Sequence, residues 1–382
     1  MAAGAGDQYW ERQKLPSFFK HNLLGRYLPR FGGKTGARGR GIVYLDGFAG
    51  RGRYQDGSPA SAELILRIAE DQAQQGIRYQ LFFHEADKES YGALATVVDE
   101  YVARGIQARA EPSEVLTGLP AVLRAAQGLP LFLFLDPCGL GLPFEDLAST
   151  LNGSRRTTWP PTEVLLNFSL EAVRRIGGLV ASPKPVEKSM VRLDQALGGC
   201  WWREYFRRGV TDQAVEDVVR GFVGRLSTAA RMHVGAIPVR SAPSHKPVYF
   251  LVFGTRSTLG VWHFADDTAE ATERWWQEIG AREKARYEAF GQVSLFGDEP
   301  VRFLDGVETK ARRVIAENIA RLVSQHGQCR MGDHPVEVFG DYLGRVRETV
   351  VRKAIKDLHA SGRTPSDGKG SPIASLVVSP PT

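Results

Sequence analysis

Short segments that are apolar almost throughout, separated by helix-length stretches, constrain the fold of this chain most. Five of them lie in the first half of the sequence, at 42–48, 79–87, 106–111, 131–137 and 162–168. Stretches with helical patterns lie between them, for example at 60–75, 88–104 and 113–127. Strands that are apolar along their whole length are buried on both faces, which requires a parallel sheet covered by helices on either side. The sequence therefore predicts an α/β, doubly wound sheet.

The alternation breaks after the fifth strand and then resumes. Residues 170–235 have a helical pattern and predict an insertion that covers one side of the sheet. Further strands are predicted at 234–241, 247–255 and 259–265. Only three residues separate the last two, so these two are expected to form an antiparallel pair.

The chain is long enough for more than one compact unit. Four regions are predicted: an N-terminal helix (8–31) with a basic Gly-rich linker over 1–40, a Rossmann-type domain over 41–265, a helical linker over 266–300, and a C-terminal domain over 301–382. The last region shows three helical patterns, a Gly/Pro-rich turn and a short apolar strand, which together predict a winged-helix-like domain.

Positive charge is concentrated at both ends of the chain. Residues 1–40 contain eight Lys or Arg against two Asp or Glu, and residues 301–382 contain thirteen against nine. Basic ends predict a polyanionic partner such as DNA or RNA, although an ordinary solvated surface has the same composition. The predicted third helix of the C-terminal domain has four outward basic residues as nucleic-acid contacts, namely Arg347, Arg352, Lys353 and Lys356.

Cysteine use and hydropathy exclude several classes of protein. Cys138, Cys200 and Cys329 are odd in number and far apart, so they predict neither a disulfide framework nor a zinc or iron–sulfur site, and no metal site is expected. The sequence has no apolar run of membrane-spanning length and no apolar leader at its N-terminus. These features predict a cytoplasmic protein without a membrane span.

The clearest local motif is LDGFAGRGRY at residues 45–54. The first strand ends at Asp46, and Phe48, Gly50 and Gly52 follow in a turn that leads toward a helix. Glycines at such a turn allow the backbone to approach a bound cofactor, and an early carboxylate can meet a cationic or amine group. Asp46, Phe48, Gly50 and Gly52 are therefore predicted to bind the cofactor.

An acidic pair follows at the end of the second strand. The segment ends in His-Glu-Ala-Asp, which places Glu85 and Asp87 at the strand tip. A carboxylate at this position can accept hydrogen bonds from both hydroxyls of a cofactor ribose. Glu85 is the first choice for this role and Asp87 the second.

Two polar residues end the fourth and fifth strands. Asp136 begins the Asp-Pro-Cys-Gly sequence after the fourth strand, and Asn167 lies at the end of the fifth. In a doubly wound sheet these strand ends face the ligand crevice, so Asp136 is predicted to orient an acceptor or take a proton from it. Asn167 either faces the same crevice or caps the helix that follows.

These motifs resemble those of known methyltransferases. The F-x-G-x-G loop is similar to the cofactor loop of S-adenosylmethionine (SAM)-dependent enzymes that act on nucleic acids, and five strands followed by a late hairpin are typical of class I SAM methyltransferases. Asp136-Pro137 resembles the Asp-Pro-Pro-Tyr motif of amino-group methyltransferases. However, Cys138 and Gly139 replace its last two residues, including the aromatic residue that would stack on a flipped base.

A wider set of motifs resembles the three-Cys-motif partner protein (TcmP) family. The resemblance covers about residues 10 to 265 and is carried by K-H-x-L-L-x-R-Y-L (20–28), V-Y-L-D-G-F-A-G-R-G-R-Y (43–54), L-D-P-C-G (135–139) and E-V-L-L-N-F (163–168). It implies a methyltransferase-like Rossmann core, a bacterial or mobile-element setting, and a radical-SAM-like protein containing three cysteines as partner. It implies no particular substrate.

Two functional hypotheses follow. The first is a SAM-dependent methyltransferase that acts on or with nucleic acid. The alternative is a non-catalytic nucleic-acid-binding partner or scaffold with a degenerate methyltransferase fold, which the Cys138-Gly139 replacement favours.

Overall fold

The computed structural model describes residues 10–11, 13–36, 41–137, 139–153, 155–182, 186–240, 245–289, 299–370 and 372–381. Cys138 and residues 37–40 of the basic linker lie outside this part. The chain divides into two compact units, Met1–Arg256 and Ser257–Thr382.

The first unit is built on a seven-stranded sheet. Its strands are β1 (Ile42–Asp46), β2 (Tyr79–His84), β3 (Gln107–Glu111), β4 (Leu131–Leu135), β5 (Thr162–Ser169), β6 (His233–Arg240) and β7 (Pro247–Thr255). Their order across the sheet is β3-β2-β1-β4-β5-β7-β6. The pairs among β1 to β5 are parallel, whereas β7 runs antiparallel to both β5 and β6. This topology confirms the predicted class I SAM-methyltransferase-like fold.

Helices pack on both faces of this sheet, as its apolar strands require. Four connect the parallel strands: α2 (Ser61–Ala73), α3 (Lys88–Val102), α4 (Val115–Ala125) and α5 (Phe144–Asn152). The strands β1 and β4 are buried at every residue. Reversal of the strand order between β1 and β4 opens a crevice at their carboxyl ends, where ligands of such sheets bind.

The predicted helical insertion is present between β5 and β6. It consists of α6 (Leu170–Gly177), α7 (Glu187–Leu197), a 3-10 helix (Cys200–Phe206) and α8 (Asp212–Ala230). Trp202 and Phe206 are fully buried, and they join Leu193 and Phe222 in one apolar core with side chains of β4 and β5. The insertion therefore forms part of the covering layer of the sheet.

The N-terminal helix α1 (Leu15–Thr35) is a second covering element, although the sequence suggested a region separate from the Rossmann domain. Tyr27 and Phe31 both contact the ring of Phe132 on β4, and the Tyr27 hydroxyl donates a 2.7 Å hydrogen bond to buried Glu163 on β5. The helix also extends four residues into the segment predicted as linker, to Thr35. Residues 15–35 thus belong to the α/β unit.

The segment 259–265 is a helix, and its prediction as a strand was wrong. It lies at the start of α9 (Thr258–Ala289), whose first turn is capped by Ser257: its Oγ accepts the Gly260 N–H at 3.0 Å. Val261, Trp262 and Ala265 are buried, which is the spacing of one helical face. The antiparallel hairpin of the sheet is instead formed by β6 and β7, and the second unit begins before 265.

The second unit contains three further helices and a two-stranded ribbon. The helices are α10 (Glu299–His326), α11 (Pro335–Phe339) and α12 (Glu348–Ala360), and the ribbon pairs β8 (Cys329–Arg330) with β9 (Val377–Val378). The side chains of Trp262, Ile315, Phe339 and Ile355 meet in its core. Ile373–Ser375, predicted as part of a strand, form a 3-10 helix. The winged-helix assignment stays a prediction.

Candidate active site

Asp46 lies at the carboxyl end of β1 and is fully buried. Its Oδ1 accepts the Phe48 N–H at 3.1 Å, and its Oδ2 accepts the hydroxyl of Ser61, the first residue of α2, at 3.0 Å. The carboxylate therefore holds the turn after β1 against the start of the next helix. The half-buried ring of Phe48 packs against the apolar core on the insertion side of the sheet.

The glycines of this turn are required by backbone conformation and packing. Gly50 and Gly52 have φ of +63° and +80°, which L side chains rarely adopt. A Cβ on Gly50 would lie 2.3 Å from the ring of Trp10, and one on Gly52 would lie 3.3 Å from Leu94. The glycines were predicted to give a cofactor access to the backbone, whereas in the structure the space beside both Cα atoms is filled by protein.

Glu85 connects the end of β2 to the glycine turn. Its Oε2 accepts the Gly50 N–H at 2.9 Å, and its Oε1 accepts the Asp87 N–H at 2.8 Å. Asp87 has a different role: its exposed side chain caps α3 by accepting the Ser90 N–H at 2.9 Å, a bond that lowers the pKa of this carboxyl. Of the two acids, Glu85 is the one that lies against the predicted cofactor loop.

Asp136 and Asn167 are in direct contact. The Asn167 Nδ2 donates a 2.7 Å hydrogen bond to Asp136 Oδ1, which joins the ends of β4 and β5. The other oxygen, Oδ2, accepts from the ammonium of Lys20 on α1. The Lys20 side chain is 7% exposed and that of Asp136 is 17% exposed, so the pair is largely buried and open at the carboxylate. The structure thus brings together both predicted acceptor-facing residues.

Neighbouring carboxylates affect the protonation of Asp46. The pKa of Asp46 is raised to about 7, chiefly because burial penalises the charged form, and the negative charges of Asp136 and Glu85 raise it further. Hydrogen bonds from Phe48 and Ser61 act in the opposite direction. Tyr44, two residues earlier on β1, is fully buried. Its pKa is raised well above normal by burial and by the charges of Asp46 and Asp136. The side chains of Asp46, Glu85 and Asp136 therefore lie close together at this edge of the sheet.

His21 borders the same edge as a neutral imidazole. Burial lowers its pKa to about 3, and the adjacent Lys20 charge lowers it further, while Asp136 raises it. The Nδ1 atom lies 2.5 Å from Nε2 of Gln13, an amide donor, so Nδ1 is the acceptor in this bond. His21 therefore adds no positive charge beside Lys20.

Sequence reasoning missed Lys20, His21 and Trp10 as site residues. Lys20 and His21 are the first two residues of the K-H-x-L-L-x-R-Y-L motif, so the signal was present. Its helical pattern showed which residues pack inward, but nothing in it showed that the helix crosses the sheet at β4. No sequence motif around Trp10 indicated that it belongs to the site.

The carboxylates at this edge of the sheet fit the cationic groups of SAM. This cofactor carries a sulfonium and an α-ammonium, and a buried group of carboxylates stabilises cations. Asp46 lies at the end of β1, where the cofactor loop begins, Glu85 follows the end of β2, and Asp136 follows the end of the neighbouring strand β4. A cation bound beside Asp46 and Glu85 would favour the ionised form of Asp46, whose pKa is otherwise raised to about 7.

A small apolar cavity lies beside Asn167. It has a volume of about 30 Å³ and is lined by the loop after β4, the end of β5 and the insertion. Its walls include Gly139, Leu142, Phe168, Leu197 and Phe222. This volume holds a water or a methyl-sized group, so the insertion narrows the crevice on the acceptor side.

The basic residues of α12 are mostly engaged within the second unit. Arg347 lies 2.8 Å from Asp266, 3.3 Å from Glu270 and 3.9 Å from Glu273. Arg352 donates to the backbone carbonyl of Gly368, and Lys353 pairs with Glu308 at 3.0 Å. Lys356 is exposed. The positive surface predicted for this helix is therefore partly neutralised.

The described part of the chain contains no group of three or more His, Cys, Asp or Glu residues arranged to hold a metal ion. None of the helices described is both long and apolar enough to cross a bilayer.

The sequence matches no protein-family model and no curated protein. The structure is similar to several solved methyltransferases. The methyltransferase domain of bacterial CtHen1-CN is 8% identical, with 62% of this chain and 99% of that chain aligned and a TM-score of 0.31. Magnesium protoporphyrin IX methyltransferase from Synechocystis PCC 6803, solved with bound SAH, is 13% identical over 67% of this chain and 90% of that one, with a TM-score of 0.31. Geranyl diphosphate methyltransferase, in complex with GPP and sinefungin, is 10% identical over 67% and 88%, with a TM-score of 0.25.

Proposed function

We propose that this chain is a SAM-dependent methyltransferase that modifies a nucleic acid. The observation that supports it most directly is the convergence of Asp46, Glu85 and Asp136 at the crevice of a class I methyltransferase-like sheet. Asp136 already has Lys20 as its cation, whereas a cationic group of SAM beside Asp46 and Glu85 would stabilise their negative charge.

In this proposal the acidic residues divide into two sets. Asp46 and Glu85 hold the cofactor from the ends of β1 and β2, and Asp136 with Asn167 faces the acceptor from the ends of β4 and β5. SAM supplies an activated methyl group, so the protein needs mainly to orient the acceptor and accept its proton.

A nucleic-acid substrate is supported by the charge of the chain ends. Thirteen Lys or Arg against nine Asp or Glu in residues 301–382 leave the C-terminal region basic, and Lys356 is exposed there. The resemblance of the sequence motifs to the TcmP family supports a radical-SAM-like, three-cysteine protein as partner.

One observation favours the alternative of a non-catalytic scaffold. Lys20 occupies one oxygen of Asp136, the residue that would otherwise be free to bind an acceptor. In a scaffold, this ion pair would fasten α1 to the sheet and take no part in chemistry. Removal of Asp136 distinguishes the two functions. An enzyme would lose methyl transfer, whereas a scaffold would keep all of its functions.

Calorimetric titration with SAM and with S-adenosylhomocysteine tests the proposal. Saturable binding is expected, and Asp46→Asn and Glu85→Gln should each weaken SAM binding by roughly 10- to 100-fold, because each removes a charged hydrogen-bond partner. Asp71→Asn, an exposed change on α2, is the matched control and should leave affinity unchanged. If the protein bound neither SAM nor S-adenosylhomocysteine, the methyltransferase function would be rejected and the scaffold function would remain.

A further inference from the structure

Lys20 is a cation held inside the acceptor side of the site. Its side chain is 7% exposed, its ammonium is bound to Asp136, and it lies 5.3 Å from the centre of the Tyr249 ring. Buried lysines are uncommon unless paired, and this one is paired to the carboxylate that faces the crevice. Any acceptor that contacts Asp136 therefore lies beside a positive charge.

Asn167 presents an unused acceptor at the same place. Its Nδ2 is committed to Asp136, and its Oδ1 is buried without a hydrogen-bond partner among the described residues. The orientation of the amide is fixed by chemistry, since the Asp136 carboxylate can only accept. A ligand that donates a hydrogen bond to Oδ1 would remove the cost of leaving this oxygen unpaired.

We propose that the acceptor atom is a hydroxyl oxygen bound between Lys20, Asp136 and Asn167. This inference rests on the proposed methyltransferase function and names the acceptor class. A hydroxyl group both accepts and donates, so it can take a hydrogen bond from the Lys20 ammonium and give one to the Asn167 or Asp136 oxygen.

The transfer step balances with the groups present. The hydroxyl oxygen forms a bond to the methyl carbon, the carbon–sulfur bond breaks, and its electron pair stays on sulfur, which becomes a neutral thioether. The hydroxyl proton passes to the Asp136 carboxylate and then to solvent. Lys20 remains an ammonium and stabilises the negative charge that builds on the oxygen as the proton leaves.

An amine acceptor fits this arrangement less well. Its nitrogen uses its lone pair to attack the methyl group, so it cannot also accept a hydrogen bond from Lys20. Positive charge then develops on the nitrogen beside an existing ammonium, which is unfavourable in a buried site. Gly139 also stands where an aromatic residue would stack on a base extruded for amino-group methylation.

Hydroxyl groups of this kind occur in RNA ribose and in small metabolites, and one assay separates the two. The protein is incubated with methyl-labelled SAM and, in separate samples, with total bacterial RNA, with DNA of the same source, and with a deproteinised small-molecule extract. Products are digested and the labelled groups identified by mass spectrometry. Label is expected as a methyl ether, on ribose in the RNA sample or on a small molecule in the extract, with none in DNA.

Variants of Lys20 test its role. Lys20→Met should reduce the transfer rate by roughly 100-fold or more with SAM affinity little changed, and it should also lower the melting temperature, because the largely buried Asp136 carboxylate loses its cation. Lys20→Arg keeps the charge and should retain more activity than Lys20→Met. Lys34→Met, an exposed change near the end of the same helix, is the control and should behave as wild type.

The outcomes separate this inference from the proposed function. Failure to bind SAM would reject the methyltransferase itself, and label confined to a small molecule would reject its nucleic-acid substrate while supporting the hydroxyl acceptor. If SAM binds, label found on an amine, on a base or in DNA, or no label in any sample, would overturn the hydroxyl acceptor alone. So would a Lys20→Met protein that is less stable but transfers methyl groups at the wild-type rate.

Discussion

Lys20 and Asp136 are 116 residues apart in the sequence and form an ion pair at the carboxyl edge of the sheet. Lys20 comes from the N-terminal helix and Asp136 from the end of β4. The helix that precedes the α/β domain therefore contributes directly to the acceptor side of its site. Removing this helix would leave Asp136 without its cation and expose the apolar face against which Tyr27 and Phe31 pack.

Asp136→Ala should abolish methyl transfer and leave cofactor binding intact. We expect a loss of roughly 100- to 1000-fold in rate, because the residue orients the acceptor and takes its proton, with SAM affinity changed less than about 3-fold. Single-turnover transfer from labelled SAM and calorimetry measure the two quantities. Glu145→Gln, an exposed change at the start of α5, is the control. A parallel loss of affinity and rate would place Asp136 in the cofactor site instead.

Gly50→Ala should destabilise the first unit. The added Cβ would meet the Trp10 ring at 2.3 Å and fix a residue at φ of +63°, which together cost about 2–4 kcal/mol. Gly25→Ala, inside α1 with nothing near its Cβ, should stabilise by up to about 1 kcal/mol. Denaturant unfolding compares the two. Adding Trp10→Ala to Gly50→Ala should relieve the steric part; an unchanged cost would show that backbone strain alone is responsible.

The contribution of Asp46 to stability should fall as pH rises from about 4 to 7, whereas buried His21, whose pKa is lowered to about 3, contributes in the opposite direction over much of this interval. The Asp46 pKa is raised from 3.8 when unfolded to about 7 when folded, so the folded state holds the proton more tightly across this interval. The favourable contribution is complete below pH 4 and is lost as pH passes 7; at about 1.4 kcal/mol per pH unit its upper limit is about 4 kcal/mol. Asp46→Asn should remove this contribution, so that the free energy of unfolding of the variant falls less, or rises more, between about pH 4 and 7 than that of the wild type. Denaturant unfolding at several pH values measures this slope. An equal slope in the variant would assign it to another group, such as Glu163, whose pKa is also raised to about 7 by burial.

Tyr27→Phe should weaken the attachment of α1 to the sheet. The variant removes the 2.7 Å hydrogen bond to Glu163 and leaves that buried carboxyl with Thr255 as its remaining side-chain donor. A cost of about 1–3 kcal/mol is expected in thermal or denaturant unfolding, since a buried acceptor loses its partner. Tyr205→Phe is the matched control, because this ring is 43% exposed. Equal effects of the two changes would contradict the assigned role of Tyr27.

Charge reversal on α12 should separate binding from stability. Lys356→Glu is expected to weaken binding to duplex DNA or RNA and to reduce the slope of log affinity against log salt by about 1, with unfolding unchanged. Arg347→Ala is expected to destabilise the second unit, since it leaves Asp266, Glu270 and Glu273 without their shared cation. Filter binding at several salt concentrations and thermal unfolding measure these effects. Unaltered affinity in Lys356→Glu would point to a protein-docking role for this unit.

Apolar strands at 42–48, 131–137 and 162–168 were sufficient to predict the parallel sheet, because a segment buried on both faces has few other places in a fold. Their last polar residues, Asp46, Asp136 and Asn167, were predicted to share an edge for the same reason. The pattern at 259–265 misled because Val, Trp and Phe favour strands, while the cap at Ser257 and the burial of Val261, Trp262 and Ala265 belong to a helix.

The sequence by itself determined the five parallel strands, their alternation with helices and the polar residues at their ends. These features follow from local periodicity and from the shared direction of parallel strands. Tertiary structure alone decided that Lys20 reaches Asp136, that Trp10 fills the space beside Gly50, and that Asp87 caps a helix while Glu85 binds the glycine turn. It also decided that Arg347 is held by three carboxylates instead of facing a polyanion. Such contacts join residues distant in sequence, and no periodicity along the chain encodes how a helix crosses a sheet.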